Sequence, residues 1–212
     1  MPAGHPRVRP ARPADLAAIA GIFAHYVTAS VVTFEETPPG VPQWRRRLDD
    51  LTDRGLPFLA ADVDVTVAGY TLASPWRPKP AYRHTVEDSV YLAPEQTGKG
   101  LGGLLLRALL ADCGRAGVRQ VLAVIADAGE PASLALHRAC GFNDAGRLRE
   151  VGYKHGRWVG TLLLQRDLGP SRPRAPRTPL RVPDCCRAGD AGAAEDHGGT
   201  GVPPLPKGRK PR

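Results

Sequence analysis

The sequence lacks several features that would place the protein in a membrane, a secretory route or a metal-binding class. None of its apolar runs approaches the roughly 18 residues that a membrane-spanning helix needs. The first eight residues contain no apolar region of the kind found in secretory signals. The four cysteines show no zinc-like spacing, and the adjacent pair Cys185 and Cys186 is not a C-x-x-C motif. We therefore expect no metal, no membrane partner, reduced thiols and a cytoplasmic location.

A positive surface on the folded part of the chain is also missing, although the formal net charge is +8. Residues 169–212 carry nine Lys or Arg and four Asp or Glu, so most of the excess positive charge lies there. This segment also contains nine prolines and seven glycines, a composition that cannot bury enough apolar area to fold. We predict a folded domain over residues 7–168 and a disordered tail over 169–212. The arginines of the tail alternate with proline rather than aromatics, so no nucleic-acid partner is expected.

The most informative stretch runs from Ser89 to Leu106 and predicts a strand, a glycine-rich turn and a helix. Val90, Tyr91 and Leu92 are typical of a buried strand, and Pro94 ends it. Glycines at 98, 100, 102 and 103 allow the backbone to turn tightly before leucines recur at helical spacing. Such a turn directs several N–H groups, together with the helix dipole, toward one point, and Lys99 adds a positive charge. The turn therefore indicates an anion site, although a turn without a ligand gives the same pattern.

The remaining chain alternates strands and helices. We expect a strand at Val8, a helix from Pro13, an extended segment at Val31–Phe34 and a helix over Gln43–Thr52. An antiparallel pair follows over Phe58–Val63 and Val67–Ala73, and Val121–Ile125 is predicted as a central parallel strand. A short helix from Pro131 to Cys140, capped by Gly141, precedes a final hairpin over Leu148–Tyr153 and Trp158–Leu168. The fold class is therefore α/β (α+β), with helices flanking a central sheet.

Several motifs in order and spacing resemble one enzyme superfamily. Gly100-x-Gly102 after a strand ending Tyr-Leu-Ala-Pro is similar to motif A of the GNAT N-acetyltransferases, and Ala132–Phe142 resembles the helix ending in Gly-Phe that flanks coenzyme A. The segments VVTFEE (31–36), YRHTVEDSVYL (82–92) and GYKHGRW (152–158) are similar to the phosphinothricin/methionine sulfone acetyltransferase branch. The resemblance covers roughly residues 8–168. It implies a mixed, mostly antiparallel sheet and an acetyl-CoA-dependent N-acetyltransferase.

The resemblance also implies how the co-substrate acetyl-CoA is bound. The backbone of the strand would hold the acetyl carbonyl as an oxyanion hole, and the glycine-rich turn would bind the pyrophosphate. Ser133 would bond the pantetheine or pyrophosphate region, although a serine at a helix start is an alternative explanation. The family often has Gln or Arg where this chain has Thr97, but backbone amides provide most of the pyrophosphate contacts. The implied residues are Val90, Tyr91, Leu92, Thr97, Gly98, Lys99, Gly100, Leu101, Gly102 and Ser133.

Two residues are candidates for proton transfer. Glu87 lies three residues before Val90 and matches the glutamate that acts as base in the phosphinothricin branch; a carboxylate there can remove the proton of an ammonium, directly or through water. A solvent-facing carboxylate at a strand start is the alternative. In a regular strand Asp88 points to the opposite face. His137 stands where many relatives carry a tyrosine that protonates the leaving thiolate, and packing against the coenzyme without acid catalysis is an equal alternative.

The resemblance further implies a small amino-acid-like amine as the acceptor, of the phosphinothricin, methionine sulfone or methionine sulfoximine type. An aromatic wall and nearby cations would suit its carboxylate and side-chain oxygens. The candidates are Phe34, Tyr82 and His155 for the wall and Arg77, Lys79 and Arg83 for the charges. His155 could equally be a turn residue, or its loop could reach a second subunit, so a homodimer is plausible. Acetylation of a protein N-terminus or another amine, and a non-catalytic acetyl-CoA-binding module, are the alternatives.

Overall fold

The chain forms a seven-stranded sheet with helices on both faces. The computed structural model describes residues 6–129 and 131–169. The strands are β1 (Arg7–Pro10), β2 (Phe58–Val63), β3 (Thr66–Pro75), β4 (Thr85–Leu92), β5 (Gln120–Asp127), β6 (Asn143–Lys154) and β7 (Arg157–Asp167). The helices are α1 (Leu16–Ala29), α2 (Val41–Asp53), α3 (Leu101–Arg115) and α4 (Pro131–Ala139). Single 3-10 turns lie at Pro13–Asp15, Pro80–Tyr82 and Pro94–Gln96.

The sheet is mixed and mostly antiparallel, as predicted. The strands lie in the order β1-β2-β3-β4-β5-β7-β6. β4 and β5 run parallel, with α3 in the connection between them, and β5 runs antiparallel to β7 on its other side. Val121, Ala123 and Ile125 of β5 are buried, which confirms that this apolar strand is central.

Most elements lie close to their expected positions. β2 has the predicted bounds, β3 pairs with it antiparallel, and Gly141 follows α4 with a φ of +81°, as its capping role requires. The expectation of an extended segment at Val31–Phe34 is wrong, because residues 31–33 form a series of bends between α1 and α2. No strand of the described residues pairs with this segment, so its backbone is free to curve. The predicted tail lies outside the described residues from position 170 onward.

An aromatic cluster fills the space between the sheet and the pair α1 and α2. Phe23 of α1 contacts Trp44 and Tyr91 edge-to-face, with ring centroids 5.5 and 5.0 Å apart. Tyr70 of β3 stacks on Tyr91 of β4 at 5.6 Å. Trp44 and Tyr70 are fully buried, and edge-to-face and offset pairs of this kind add stability beyond the area they bury. The cluster fixes β4 against α1 close to the glycine-rich turn.

The opposite face of the sheet is covered by α3 and α4. Leu105, Leu106 and Leu109 of α3 are completely buried. Gly69 of β3 lets the helix approach closely, because a Cβ there would lie 3.3 Å from a methyl carbon of Leu105 and 2.6 Å from one of Leu92. The start of α3 is thereby held directly beneath the end of β4.

A charged network ties the first strand to the first helix. The Arg9 guanidinium donates to Asp15 at 2.7 and 2.9 Å and to Asp62 at 2.6 and 2.8 Å. Asp15 also accepts from the backbone N–H of Arg12 at 2.7 Å. The hydrogen bond from Arg9 lowers the pKa of Asp15 below its usual value; burial opposes that shift, and the N–H of Arg12 adds to it. This buried, multiply bonded carboxylate stabilises the fold.

We expect Asp15→Asn to lower the free energy of unfolding by about 1–3 kcal/mol near neutral pH, because charge-assisted hydrogen bonds are lost. Since the folded-state pKa of Asp15 is lowered, its contribution exists above the unfolded pKa of about 4 and is lost as pH falls through the folded value. The difference from wild type should therefore shrink in acid. Urea denaturation at several pH values measures this difference.

Asp49→Asn is the matched control, since Asp49 pairs with Arg45 at 3.6 Å on an exposed surface. That variant should change stability by less than about 0.5 kcal/mol at any pH. An Asp15→Asn effect that does not depend on pH would contradict the role given to the network.

Candidate active site

A cleft of about 810 Å³ opens where β4 and β5 separate. The pairing of these strands ends at Glu87 and Leu122, although β4 continues to Leu92 and β5 to Asp127. β4 remains paired with β3 over its whole length. Beyond Glu87, one edge of β4 therefore has no neighbouring strand among the described residues, and this edge lines the cleft.

The alternation of the strand decides which backbone groups face the gap. Thr85 accepts a hydrogen bond from Trp76, and Ala93 donates one to Ala68, so odd-numbered residues direct their backbone groups toward β3. The N–H groups of Val90 and Leu92 consequently point to the open side. Tyr91 directs its own N–H to β3, and only its neighbours can offer donors to a ligand in the cleft.

Tyr26 of α1 completes this edge and was not singled out from the sequence. Its hydroxyl donates to the carbonyl of Leu92 at 2.7 Å and lines the cleft. Burial, and to a smaller degree the charge of Glu95, raises the pKa of Tyr26, so the hydroxyl keeps its proton. A tyrosine at the end of an amphipathic helix gives no signal in the sequence that it will reach a strand 66 residues away.

The glycine-rich turn lies at one end of the cleft. Gly98 and Gly100 adopt φ values of +73° and +79°, and Gly100 is the residue before α3. Their conformation turns the chain so that the unbonded N–H groups of the first helical turn face the cleft. Gly98, Gly100 and Gly102 line the cleft.

The side chains within this turn are engaged elsewhere. Thr97 Oγ1 donates to the Pro94 carbonyl at 2.8 Å, and Lys99 Nζ donates to Gln96 Oε1 at 3.3 Å. Leu101 is 3% exposed and packs in a small apolar cluster with Ala61, Ala68 and Leu105. Of these candidates, Thr97 lines the cleft, whereas Lys99 and Leu101 do not. The turn can therefore contact a ligand chiefly through its backbone.

Glu87 lies where the two strands part and lines the cleft. The side chain is partly buried, and this burial, with the charge of Asp88, raises its pKa above the usual value, while Arg77 opposes the shift. Arg77 itself stacks on Trp76, with its guanidinium 4.8 Å from the ring centroid. A partly desolvated carboxylate with a raised pKa has the properties of a general base that works near neutral pH.

Asp88 faces the other side of β4, as strand alternation predicts, and pairs with His137 of α4. His137 Nε2 lies 2.9 Å from Asp88 Oδ2, and Nδ1 lies 2.7 Å from the Ser133 carbonyl. Because a carbonyl can only accept, Nδ1 carries a proton, and a further proton is shared between Nε2 and Asp88. Both side chains are almost completely buried. Asp88 and His137 were both considered from the sequence, but their hydrogen bond was not predicted.

The interactions of His137 with its neighbours affect its pKa more than burial does. Burial acts to lower the pKa of His137, but the hydrogen bond to Asp88, the charge of Asp88 and the bond to the Ser133 carbonyl together raise it. With both ring nitrogens bonded to protein groups, His137 has no nitrogen free for a ligand. The geometry favours packing and orientation of α4 over direct proton donation.

The remaining candidates fall into two groups. Phe34 and Ser133 line the cleft, and the Ser133 hydroxyl lies 3.4 Å from His137 Nδ1. Five other residues do not line it: Arg77, Lys79, Tyr82 and Arg83 in the loop between β3 and β4, and His155 in the turn between β6 and β7. His155 has a φ of +50°, which fits its alternative explanation as a turn residue.

Comparison with known proteins identifies the family. Residues 20–142 match the Acetyltransferase (GNAT) family. The chain belongs to the GNAT acetyltransferase family. A phosphinothricin N-acetyltransferase from Alcaligenes faecalis is 48% identical over 161 residues, covering 76% of this chain and 82% of the relative. An L-methionine sulfoximine/L-methionine sulfone acetyltransferase from Pseudomonas aeruginosa is 37% identical over 166 residues, covering 78% of this chain and 96% of the relative.

A solved structure agrees with this assignment. A GNAT superfamily phosphinothricin acetyltransferase from Sinorhizobium meliloti, crystallised with AcCoA, matches with a TM-score of 0.78 at 42% identity. The match covers 87% of this chain and 98% of that one. The predicted GNAT fold and the resemblance to the phosphinothricin and methionine sulfone branch are confirmed. Within the described residues, no helix has the length and apolar character needed to cross a membrane.

We expect Asp88→Asn to lower the pKa of His137, because burial then acts without the hydrogen bond and the charge of Asp88. Two-dimensional ¹H–¹⁵N spectra of the imidazole groups across pH measure this shift directly. An unchanged His137 titration would show that the pair does not control its protonation.

Proposed function

We propose that the protein transfers an acetyl group from acetyl-CoA to the primary amine of a small amino-acid-like substrate of the phosphinothricin, methionine sulfone or methionine sulfoximine type. The observation that carries this proposal is the gap between β4 and β5, which joins an anion-binding turn to a partly buried carboxylate. The names of the relatives supply the substrate class. Non-catalytic binding of acetyl-CoA would require no carboxylate with the properties of Glu87.

The gap suits the shape of acetyl-CoA. The pyrophosphate would bind the N–H groups of the turn from Thr97 to Gly102, where the helix dipole of α3 favours negative charge. The pantetheine arm would lie between the separated strands, beside Ser133 and Leu136 of α4. Gly98 and Gly100 support this fit, because they have no side chain and no other atom lies within 4 Å of where a Cβ would be, so a ligand can approach the backbone.

The reaction forms a C–N bond and breaks the C–S bond of the thioester. Glu87 would remove a proton from the substrate ammonium, directly or through water, and the free amine would attack the acetyl carbonyl. The N–H groups of Val90 and Leu92, on the open edge of β4, would stabilise the negative charge that develops on the carbonyl oxygen. The C–S bond then breaks, the nitrogen loses its second proton, and the departing thiolate of coenzyme A takes up that proton, directly or through water. The bonding of His137 to Asp88 and Ser133 supports a positioning role for it in this step.

The acceptor would bind on the Glu87 face of β4. Phe34 forms part of the wall there, and Arg77 provides the cation whose charge acts on Glu87. An arginine suits a carboxylate or a phosphinyl oxygen, since its planar group can donate two parallel hydrogen bonds. Arg77, Lys79, Tyr82, Arg83 and His155 remain predicted substrate residues, and all five lie outside the cleft lining in the single chain.

A homodimer is also proposed, with one folded domain over residues 7–168. The outer hairpin of β6 and β7 exposes several large apolar side chains, namely Leu148, Val151, Tyr153 and Trp158. Exposed apolar side chains of this size support the proposal, because contact with a second copy of the chain would bury them. The cytoplasmic location stays a prediction from composition.

We expect Glu87→Gln to lower kcat at least about a hundredfold while acetyl-CoA binding is unchanged, because the base is lost and the coenzyme cleft is kept. Free-thiol release with phosphinothricin, methionine sulfone and methionine sulfoximine measures turnover, and calorimetry measures binding. The wild-type rate should fall as pH falls through a pKa above the usual glutamate value, because burial raises the pKa of Glu87.

Glu150→Gln is the matched control, since it is the same change on an exposed part of β6. Turnover of simple peptides in place of the three amino acids would favour the acetylation of protein N-termini. Acetyl-CoA binding without turnover of any amine would leave only the non-catalytic module.

A further inference from the structure

A lysine is buried at the end of β6, outside the groups used by the proposed reaction. Lys154 is 4% exposed, whereas the residues around it in the hairpin turn are exposed. Lysine is rarely buried to this extent unless its ammonium is paired or hydrogen-bonded, because removing the charge from water costs free energy. Its position therefore needs a specific partner.

The partner is the curved segment that follows α1. Lys154 Nζ donates to the backbone carbonyl of Thr33 at 2.8 Å, a contact between residues 121 positions apart. Burial lowers the pKa of Lys154, while the carboxylates of Glu36 and Glu35 on the same segment offset part of this effect. The Lys154 ammonium therefore donates a hydrogen bond to one carbonyl of the segment after α1 and is also attracted by the two carboxylates of that segment.

A second contact joins the same hairpin to the same segment. The ring of Phe34 lies against the backbone of Gly152, where a Cβ would be only 2.4 Å from Phe34 Cε2. Glycine is required at position 152 for this close approach, since any larger residue would displace the ring. Gly152 and Lys154 therefore act on neighbouring residues of the segment, one through packing and one through a hydrogen bond.

The segment held in this way lines the cleft. Val32, Thr33 and Phe34 line the cleft, next to Tyr91 and Glu87. A hydrogen bond with Thr33 partly offsets the burial that raises the pKa of Tyr91 to about 12, so the segment also contacts β4. It bridges the strand that carries Glu87 and the outer hairpin, and it forms one side of the space for the acceptor.

We propose that Lys154 is a positioning residue that, together with Gly152, clamps the Val32–Phe34 segment as the wall of the acceptor pocket and so determines which acceptors bind. This inference rests on the proposed function for the identity of the pocket. A buried leucine would supply packing at lower cost than an ammonium, but it could not hold the Thr33 carbonyl. The hydrogen bond holds the residue before Phe34, and Phe34 lines the same cleft as Glu87. Loss of the clamp should therefore weaken acceptor binding before coenzyme binding.

Lys154→Met tests the clamp, since methionine keeps a similar length without the donor. We expect the KM for the acceptor to rise at least tenfold, with the KM for acetyl-CoA changed less than twofold and kcat reduced less. Arg157→Met is the matched control, because it removes a positive charge from an exposed position of the same hairpin. Thermal unfolding of each variant shows whether it is folded.

A cycle with Phe34→Ala separates positioning from general stability. If Lys154 acts through Phe34, the double variant should have nearly the same acceptor KM as Phe34→Ala alone. Gly152→Ala should raise the acceptor KM as Lys154→Met does, because it displaces the same ring. Additive effects in the cycle, or equal rises in both KM values, would overturn the proposal.

Hydrogen exchange gives a readout that does not depend on turnover. The amides of residues 31–36 should exchange at least tenfold faster in Lys154→Met than in Arg157→Met, while those of β4 stay unchanged. If wild-type protein turns over none of the acceptors, the proposed function fails, and faster exchange would still support the clamp. Unchanged exchange in an active, folded Lys154→Met protein would overturn the clamp and leave the function standing.

Discussion

The site depends on one departure from regular sheet structure, which is the separation of β4 from β5 after Glu87. An unpaired strand edge inside a protein normally costs free energy, because its N–H and C=O groups lose water without gaining partners. One of these groups, the Leu92 carbonyl, accepts a hydrogen bond from the Tyr26 hydroxyl. The N–H groups of Val90 and Leu92 face the open side, where a ligand can accept from them. Binding and fold stability are therefore linked at this edge.

The cost of the gap is balanced by packing on either side of it. Tyr91 is enclosed by Phe23, Tyr26 and Tyr70, so the end of β4 is held to α1 and β3 rather than to β5. On the other face of the sheet, Gly69 of β3 leaves room for Leu105 of α3 and for Leu92 at the end of β4. The chain contains only 6% aromatic residues, and it concentrates many of them at this point. Aromatic packing at the end of β4 can keep the strand rigid where its hydrogen bonds to β5 are absent.

The elements could be predicted from the sequence because their signals are local. The apolar periodicity and the positions of proline and glycine correctly predicted the bounds of β2 and the turn before α3. The partners that complete the site are distant in sequence: Asp88 and His137 are 49 residues apart, and Lys154 contacts Thr33 across 121. No periodicity encodes such pairs, and the bends at residues 31–33 were missed for the same reason. The roles of the candidate residues were predicted mainly from resemblance to a family, and they remain predictions.

Glu87 and Asp88 are adjacent carboxylates of β4, and the alternation of the strand directs their side chains to opposite faces of the sheet. Glu87 faces the side of α1 and α2, and Asp88 faces α4, where His137 bonds it. The charge of Asp88 nonetheless affects Glu87, since it contributes to the raised pKa of Glu87. When the imidazole is protonated, its positive charge offsets that of Asp88 and weakens this influence. The protonation state of the buried pair on the α4 side can therefore adjust the basicity of Glu87 on the other face of the strand.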